Sequence, residues 1–455
     1  MSDLAKSKAD ENRADIEPRR LETTEYEKNF CDVLTPLDRN TAVREANHCL
    51  FCYDAPCIDA CPTSIDIPSF IKKISTDNVK GAAKTILEQN IMGGGCARVC
   101  PVEELCESAC VRKTQSNDPV KIGQLQRYAT DHLFARDDAQ LFERKASTGK
   151  TIAVIGAGPA GLSCAHNLSR EGHDVVIFEA RPKSGGLNEY GIAAYKMAND
   201  FAQKEVDYIL SLGGIEIRHD HALGQHITLD GLRAEYDAVF LGMGMGGVNA
   251  LGLDNEGLEG VDNAVDYIAS LRQVDDKATL PVGRRVVVIG GGNTAIDMAI
   301  QIKRLGAEDV TLVYRRGTDE MGATDHEQEF AQTNDVRIKL WAKPSKLIGE
   351  NGHISAIEFE YTKLDNNGRL IGTGEFYTLE ADMVFKAIGQ NFDAAPLNGT
   401  LDISAKGKIA VNDDGQTTLN NVWAGGDCTE GADLTVVAVQ DGKKAAASIN
   451  KFLAV

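Results

Sequence analysis

Nine of the eleven cysteines in this 455-residue chain lie between Cys31 and Cys110, and only Cys164 and Cys428 fall beyond. That crowding limits what the segment can become. A disulfide framework needs an oxidising compartment. The first twenty residues, MSDLAKSKADENRADIEPRR, are polar and mixed in charge, without the apolar stretch of a secretory signal. A run of about 18 apolar residues is also missing, which argues against a membrane span. The expected compartment is the cytoplasm, and there crowded cysteines point to metal.

Cys49, Cys52, Cys57 and Cys61-Pro62 read C-x2-C-x4-C-x3-C-P, and Cys96, Cys100-Pro101, Cys106 and Cys110 form a second group. Iron–sulfur clusters need thiolates gathered by tight turns, with the last ligand of one run often serving a neighbouring cluster. The two Cys-Pro steps favour that reading, and these eight cysteines could fill two four-iron sites. Zinc also uses C-x2-C pairs, and a redox dithiol at Cys49 and Cys52 is a third reading. Spacing alone does not reveal how ligands would be shared. Cys31, Cys164 and Cys428 are expected to be ordinary buried thiols.

Around the cysteines, residues 68–74 open with Pro and place apolar side chains on one helical face. Residues 79–87 repeat the pattern, which breaks at Gly93-Gly94-Gly95. Short helices wrapped around something other than a large apolar core are expected. From Lys150 the period changes abruptly: residues 151–155 read as a buried strand, then glycines, a helical pattern over 162–170 and a strand over 175–178. That is a β-α-β unit. A second opens at 285–289 and closes at 310–314. Residues 383–388 return to a strand-plus-glycine pattern, and the chain ends in a helix from about Thr435. The expected fold is an α-helical iron–sulfur domain (1–148) followed by α/β, with two Rossmann-like dinucleotide-binding domains. The second (281–389) is inserted between two parts of the first (149–280 and 390–455).

Each β-α-β unit carries a glycine turn. In VIGAGPAG, Gly156 permits the tight turn, Gly158 lets a pyrophosphate approach the backbone beside Ala160, and Gly161 allows close helix–strand packing. Phosphates would face the positive helix N-terminus. Glu179, ending the next strand, is placed to accept from ribose hydroxyls, and Gly186 and Leu187 join the same set. In VIGGGNTA the corresponding residues are Gly290, Gly292, Asn293, Thr294 and Ala295, with Ala in the third glycine place. The strand after it ends in Tyr314-Arg315-Arg316, where an acid would favour NAD; guanidinium groups suit a 2′-phosphate. Near the end, Gly426 and Asp427 follow a strand, with the acid able to bind a flavin ribityl hydroxyl. This segment should return to the first unit, which is therefore read as the flavin site, leaving the second for the nicotinamide. The formal charge, 48 − 67 = −19, makes nucleic acid an unlikely partner. There is no candidate nucleophile, and no catalytic acid or base is assigned.

Together, CLFCYDAPCIDACPTSIDIPSFI, GCARVCPVEELCESAC, KIGQLQRYAT, VIGAGPAGLSCA, VIGGGNTAIDMA, YRR and AGGDCTEGADLTVVAVQDGKKAA resemble the flavin subunits of bacterial dihydropyrimidine dehydrogenases. Glutamate synthase small subunits are the close cousins. The resemblance runs from about Asn29 to the C-terminus. It implies FAD and two 4Fe–4S clusters, one held by Cys49, Cys52, Cys57 and Cys110. The other would use Cys61, Cys100, Cys106 and the side-chain amide of Gln126, with Cys96 a bystander. It also implies NAD(H), against the leaning of Arg315 and Arg316 toward NADP(H). The partner would be a subunit with FMN and further 4Fe–4S clusters, in an α2β2 assembly that reduces uracil or thymine to 5,6-dihydropyrimidines. A glutamate synthase small subunit is the alternative, although residues 57–63 and 101–106 look more like the pyrimidine enzyme. A zinc-stabilised flavoprotein scaffold is a third reading. A flavin disulfide reductase fits less well, because neither nucleotide unit contains C-x-x-C.

Overall fold

Asp66 accepts the N–H of Ser69 and so caps the helix Ile67–Ser75, whose buried face is Ile67, Phe70, Ile71 and Ile74. Asn78 does the same for the helix Val79–Gln89 through Gly81. These helices belong to a computed structural model that describes residues 20–136 and 139–454. The leader reading of residues 1–19 lies outside that range.

The glycine run corrects one expectation. Gly93-Gly94-Gly95 does not stay irregular; it forms the first turn of the helix Gly93–Val99. Side chains there would have no room. A Cβ on Gly94 would sit 2.6 Å from the Phe201 ring, and one on Gly95 would sit 2.4 Å from Glu205 Oε2. The expected small core is also corrected. Ile65, Phe70, Ile74, Ile86, Met92, Leu125 and Leu133 are buried in one apolar cluster that continues through Val154, Leu162 and Val439. At ~25 cal/mol per Å² of apolar surface removed from water, such a cluster is a main source of stability.

The chain divides into two compact units. One comprises Leu34–Glu189, Asn199–Gly247 and Asn391–Val455. Its sheet is parallel, in the order Val422–Ala424, Ala238–Leu241, Thr151–Ile155, Asp174–Phe178, Ile215–Arg218. Ile152 to Ile155 are buried, as expected for a strand covered on both faces. The C-terminal strand pairs with Ala238–Leu241, and the helix Thr435–Leu453 lies along Pro159–Arg170, with Ser163 Oγ donating to the Val439 carbonyl. The chain's end thus rejoins the first nucleotide unit. The helix Pro159–Arg170 starts three residues earlier than its apolar pattern, because Pro159 and the two residues after it form its first turn.

The other unit comprises the described part of Met1–Val33 with Tyr190–Ala198 and Val248–Gln390. Its parallel sheet runs Val261–Asn263, Met383–Lys386, Arg285–Ile289, Asp309–Val313, Val336–Lys339. The segment Tyr190–Ala198 is tied in by Lys196, whose Nζ lies 2.7 Å from Asp297 and 2.5 Å from Glu327. An antiparallel sheet of Ala342–Glu350, His353–Leu364 and Leu370–Glu380 packs Leu347, Ile357 and Phe359 into a core with Val287 and Ile289. The two parallel sheets, the second inserted into the chain of the first, are the Rossmann-like architecture expected. Among the described residues no helix is long and apolar enough to cross a membrane.

Candidate functional site

Loop turns and short helices bring distant cysteines together. The short helix Pro56–Asp59 carries Cys57, and Cys110 caps the helix Val111–Ser116. Cys49, Cys52, Cys57 and Cys110 line one hollow, with Leu50, Ile67, Ile71, Arg112, Val120 and Ile122 among its other walls. Burial, then Cys49 and Cys110, push the Cys57 thiol up to about 12, and burial raises Cys49 as well. Without metal these thiols are held protonated; a cationic centre would reverse that and release the protons.

Cys61, Cys96, Cys100, Cys106 and Gln126 line a second cavity. Asn90 donates from Nδ2 to Cys96 Sγ at 3.2 Å, and Gln126 donates from Nε2 to the Gly93 carbonyl at 2.7 Å. Cys100 is raised well above the ordinary thiol value by its hydrogen bond with Cys96 and by burial; Cys106 is raised by burial and by Glu107. Val436, from the C-terminal helix, closes the wall. Both donor sets suit an iron–sulfur cluster: several thiols facing a hollow whose other walls are mostly apolar. Among the described residues, no three His, Cys, Asp or Glu side chains converge closely enough to grip a single metal ion. Cys164 and Cys428 are buried, but Cys31 is exposed, contrary to expectation, because it lies in a bend just past the helix Thr23–Asn29.

At the first glycine turn, Gly156 has φ +94°, and a Cβ there would meet the Gly242 carbonyl oxygen at 2.3 Å. A Cβ on Gly161 would be 1.9 Å from the Gly156 oxygen. Gly158, the N-cap of Pro159–Arg170, has no side-chain cap, and its nearest neighbour is the Gly186 Cα, 3.7 Å from a built Cβ. The helix N-terminus is therefore bare, a cradle for a pyrophosphate. Ala160 lies 3.0 Å from a Cβ built on Gly426, which brings the C-terminal segment to the turn. Burial lifts the neighbouring Asp427 to about 6, with Asp433 adding to the effect. Leu187 is exposed beside Gly186. Glu179 accepts the N–H of Ala157 at 2.7 Å through Oε2 and that of Arg181 at 2.8 Å through Oε1. Its first task here is bracing the turn, a role not anticipated from its place at a strand end.

The second turn repeats the design. A Cβ on Gly290 (φ +152°) would meet the Ala387 oxygen at 2.2 Å, and 3.2 Å separates it from the Ala295 Cβ that replaces the third glycine. Gly292 caps the helix Asn293–Arg304 with open space around it, and Thr294 lies in the first turn. Asn293 Oδ1 is buried without a hydrogen-bond partner. The Tyr314 ring stands where a Gly291 Cβ would be. Arg315 is exposed; Arg316 is half-buried, and its Nε has no partner.

Two such turns at bare helix termini define a dinucleotide-dependent flavoprotein oxidoreductase, here preceded by a cysteine-lined helical segment. The family described as pyridine nucleotide-disulphide oxidoreductase matches residues 150–442, and that described as dihydropyrimidine dehydrogenase domain II, 4Fe-4S cluster, matches residues 26–138. The chain belongs to the family of iron–sulfur flavoprotein oxidoreductase subunits that carry both domains. The NAD-dependent dihydropyrimidine dehydrogenase subunit PreT of Salmonella typhimurium is 35% identical over 429 residues, 94% of this chain and 98% of the relative. The glutamate synthase [NADPH] small chain of Escherichia coli is 32% identical over 448 residues, 94% of each chain. Among solved structures, Mycobacterium tuberculosis FprA in complex with NADPH shares the fold, with a TM-score of 0.56 at 20% identity over 67% of this chain and 85% of that one. FAD, a nicotinamide nucleotide and a 4Fe–4S cluster are the cofactors these domains imply.

Proposed function

We propose that this chain is the electron-input subunit of a dihydropyrimidine dehydrogenase. The bound flavin would take hydride from NAD(H), and two 4Fe–4S clusters would pass electrons singly to an FMN-containing partner that interconverts uracil or thymine and their 5,6-dihydro forms. The observation that carries the reading is the convergence of separated cysteines on two cavities within the same compact unit as the first glycine turn.

In this reading Cys49, Cys52, Cys57 and Cys110 hold one cluster, and Cys61, Cys100, Cys106 and Gln126 the other. Cys96 remains a bystander engaged by Asn90. Gly156, Gly158, Ala160, Gly161, Glu179, Gly186, Leu187, Gly426 and Asp427 form the flavin site. Gly290, Gly292, Asn293, Thr294, Ala295, Arg315 and Arg316 form the nicotinamide site. Backbone N–H groups at the two helix starts orient the pyrophosphates, and Asp427 accepts from the ribityl chain. The expected domain limits, 1–148, 149–280, 281–389 and 390–455, move at one point: the strand Val261–Asn263 already pairs in the second sheet, so the nicotinamide unit begins near Val248 instead of 281. The assembly is α2β2 and works in the cytoplasm.

The test is anaerobic reduction of the purified chain by NADH and by NADPH, with and without the partner and uracil. Rapid bleaching by NADH, with dihydrouracil formed only when the partner is present, is the expected result. Flavin without iron or acid-labile sulfide would remove the electron route, and stoichiometric zinc would replace it with a scaffold role. The exposed Arg315, where NAD sites carry an acid, favours the second reading, a glutamate synthase small subunit using NADPH. Co-purification with a large amidotransferase subunit would decide for it.

A further inference from the structure

The two cavities differ in charge. Arg112 stands in the wall of the first, whereas the residues lining the second include no charged side chain. One-electron reduction adds a negative charge to an iron–sulfur centre, so its potential responds to nearby charge and to hydrogen bonding around its sulfurs. A buried centre with uncharged walls would be hard to reduce.

A cation from another part of the chain stands behind the wall of the second cavity, on residues adjacent in sequence to its lining. Lys443 lies on the helix Thr435–Leu453, whose Val436 lines that cavity. The preceding residue, Gly442, is pressed against the first glycine-turn helix, where a Cβ would meet the Ala160 oxygen at 2.1 Å. Lys443 Nζ donates to the Thr63 carbonyl at 3.2 Å, the Gln89 carbonyl at 3.1 Å and Gln89 Oε1 at 2.8 Å. Three donors meet three neutral oxygens. No carboxylate pairs with this ammonium among the described residues, so its charge is not cancelled locally. Thr63 is two residues beyond Cys61, and its Oγ1 lies 3.4 Å from Cys61 Sγ.

We propose that Lys443 is an electrostatic tuning residue for the second iron–sulfur centre, delivered by the helix that follows the flavin-binding Asp427, and that its charge favours arrival of an electron there. The inference rests on the cluster reading above. Each electron comes from the flavin, itself reduced by hydride from the nicotinamide nucleotide; Lys443 neither gives nor takes a proton. It touches no reacting atom, and it sets the energy of the centre held by Cys61, Cys100 and Cys106.

The experiment is an EPR-monitored redox titration of the purified, iron-loaded full chain. Lys443→Gln keeps a hydrogen-bond donor and drops the charge. It should make the second centre about tenfold harder to reduce at a fixed potential, a negative midpoint shift of about 59 mV for one electron, while the first centre stays put. Lys443→Arg should hold the wild-type midpoint, and Lys443→Met should match Lys443→Gln. An unshifted midpoint in an iron-replete Lys443→Gln protein overturns the proposal. So does loss of iron from both neutral variants, which would make Lys443 a structural tie. Wild-type protein with no iron would instead sink the cluster reading itself.

Discussion

Gln126 donates its side-chain nitrogen to the carbonyl of Gly93 at 2.7 Å, inside the wall of the second cysteine-lined cavity. A carbonyl can only accept, so the amide is fixed by chemistry: Nε2 is committed and Oε1 is the end left for the cavity. Cys96, by contrast, already accepts from Asn90. Cys96→Ser should therefore keep about eight irons per chain, the content of two four-iron centres. Gln126→Ala should lose iron from one centre and change its EPR signal. Equal iron loss in both variants, measured by metal analysis, would show that the fourth ligand is misassigned.

Glu205 is fully buried against Gly95, whose N–H it accepts at 2.8 Å, and its other carboxylate oxygen has no partner. Burial raises it from 4.5 to about 7, although the Gly95 N–H and Arg98 pull the other way. The neutral form is favoured in the fold, so its stability contribution is complete below the unfolded value and is lost as pH rises through about 7. A shift of this size corresponds to roughly 3 kcal/mol. Glu205→Gln keeps an acceptor for Gly95 and removes the titration. Thermal unfolding should fall with rising pH across that window in the wild type and stay flatter in the variant.

The glycines of the first turn divide into two kinds. Gly156→Ala would force a Cβ into the Gly242 carbonyl from a left-handed backbone, and poor folding is expected. Gly158→Ala meets nothing closer than 3.7 Å in the protein. It should fold normally yet bind flavin at least tenfold more weakly, because the methyl occupies the pyrophosphate's approach. Circular dichroism together with flavin titration separates the two outcomes.

Arg315 and Arg316 supply guanidinium groups where an acid would recognise an unphosphorylated ribose. Replacing both with Ala should lower kcat/KM for NADPH by at least tenfold and leave NADH nearly unchanged, each charge-assisted contact contributing about 1.5–3 kcal/mol. A parallel fall for both nucleotides would mean that the arginines hold the pyrophosphate instead.

Much of this was legible from residue types. Glycine turns between a buried strand and a helix have few alternatives, and the two parallel sheets follow from them. The three-stranded antiparallel sheet was missed even though Asn351-Gly352 and Asn367-Gly368 mark its two tight turns, because its strands mix exposed charge with Ile357 and Phe359 and so blur the alternation. Gly93-Gly94-Gly95 misled because propensity alone predicts a break; the packing of Phe201 and Glu205, about 110 residues away in sequence, overrides it. Likewise, the anchoring of Tyr190–Ala198 by Lys196 depends on Asp297 and Glu327, which no local pattern connects.

The two cysteine-lined hollows are interleaved along the chain: Cys110 completes a set begun at Cys49, while Cys61, inside that interval, belongs to the other. Neither can close on a ribosome until Cys110 has emerged, and the second also waits for Gln126. Maturation machinery would then meet both sites together once Gln126 has emerged, and a fragment cut between Cys61 and Cys96 would retain neither.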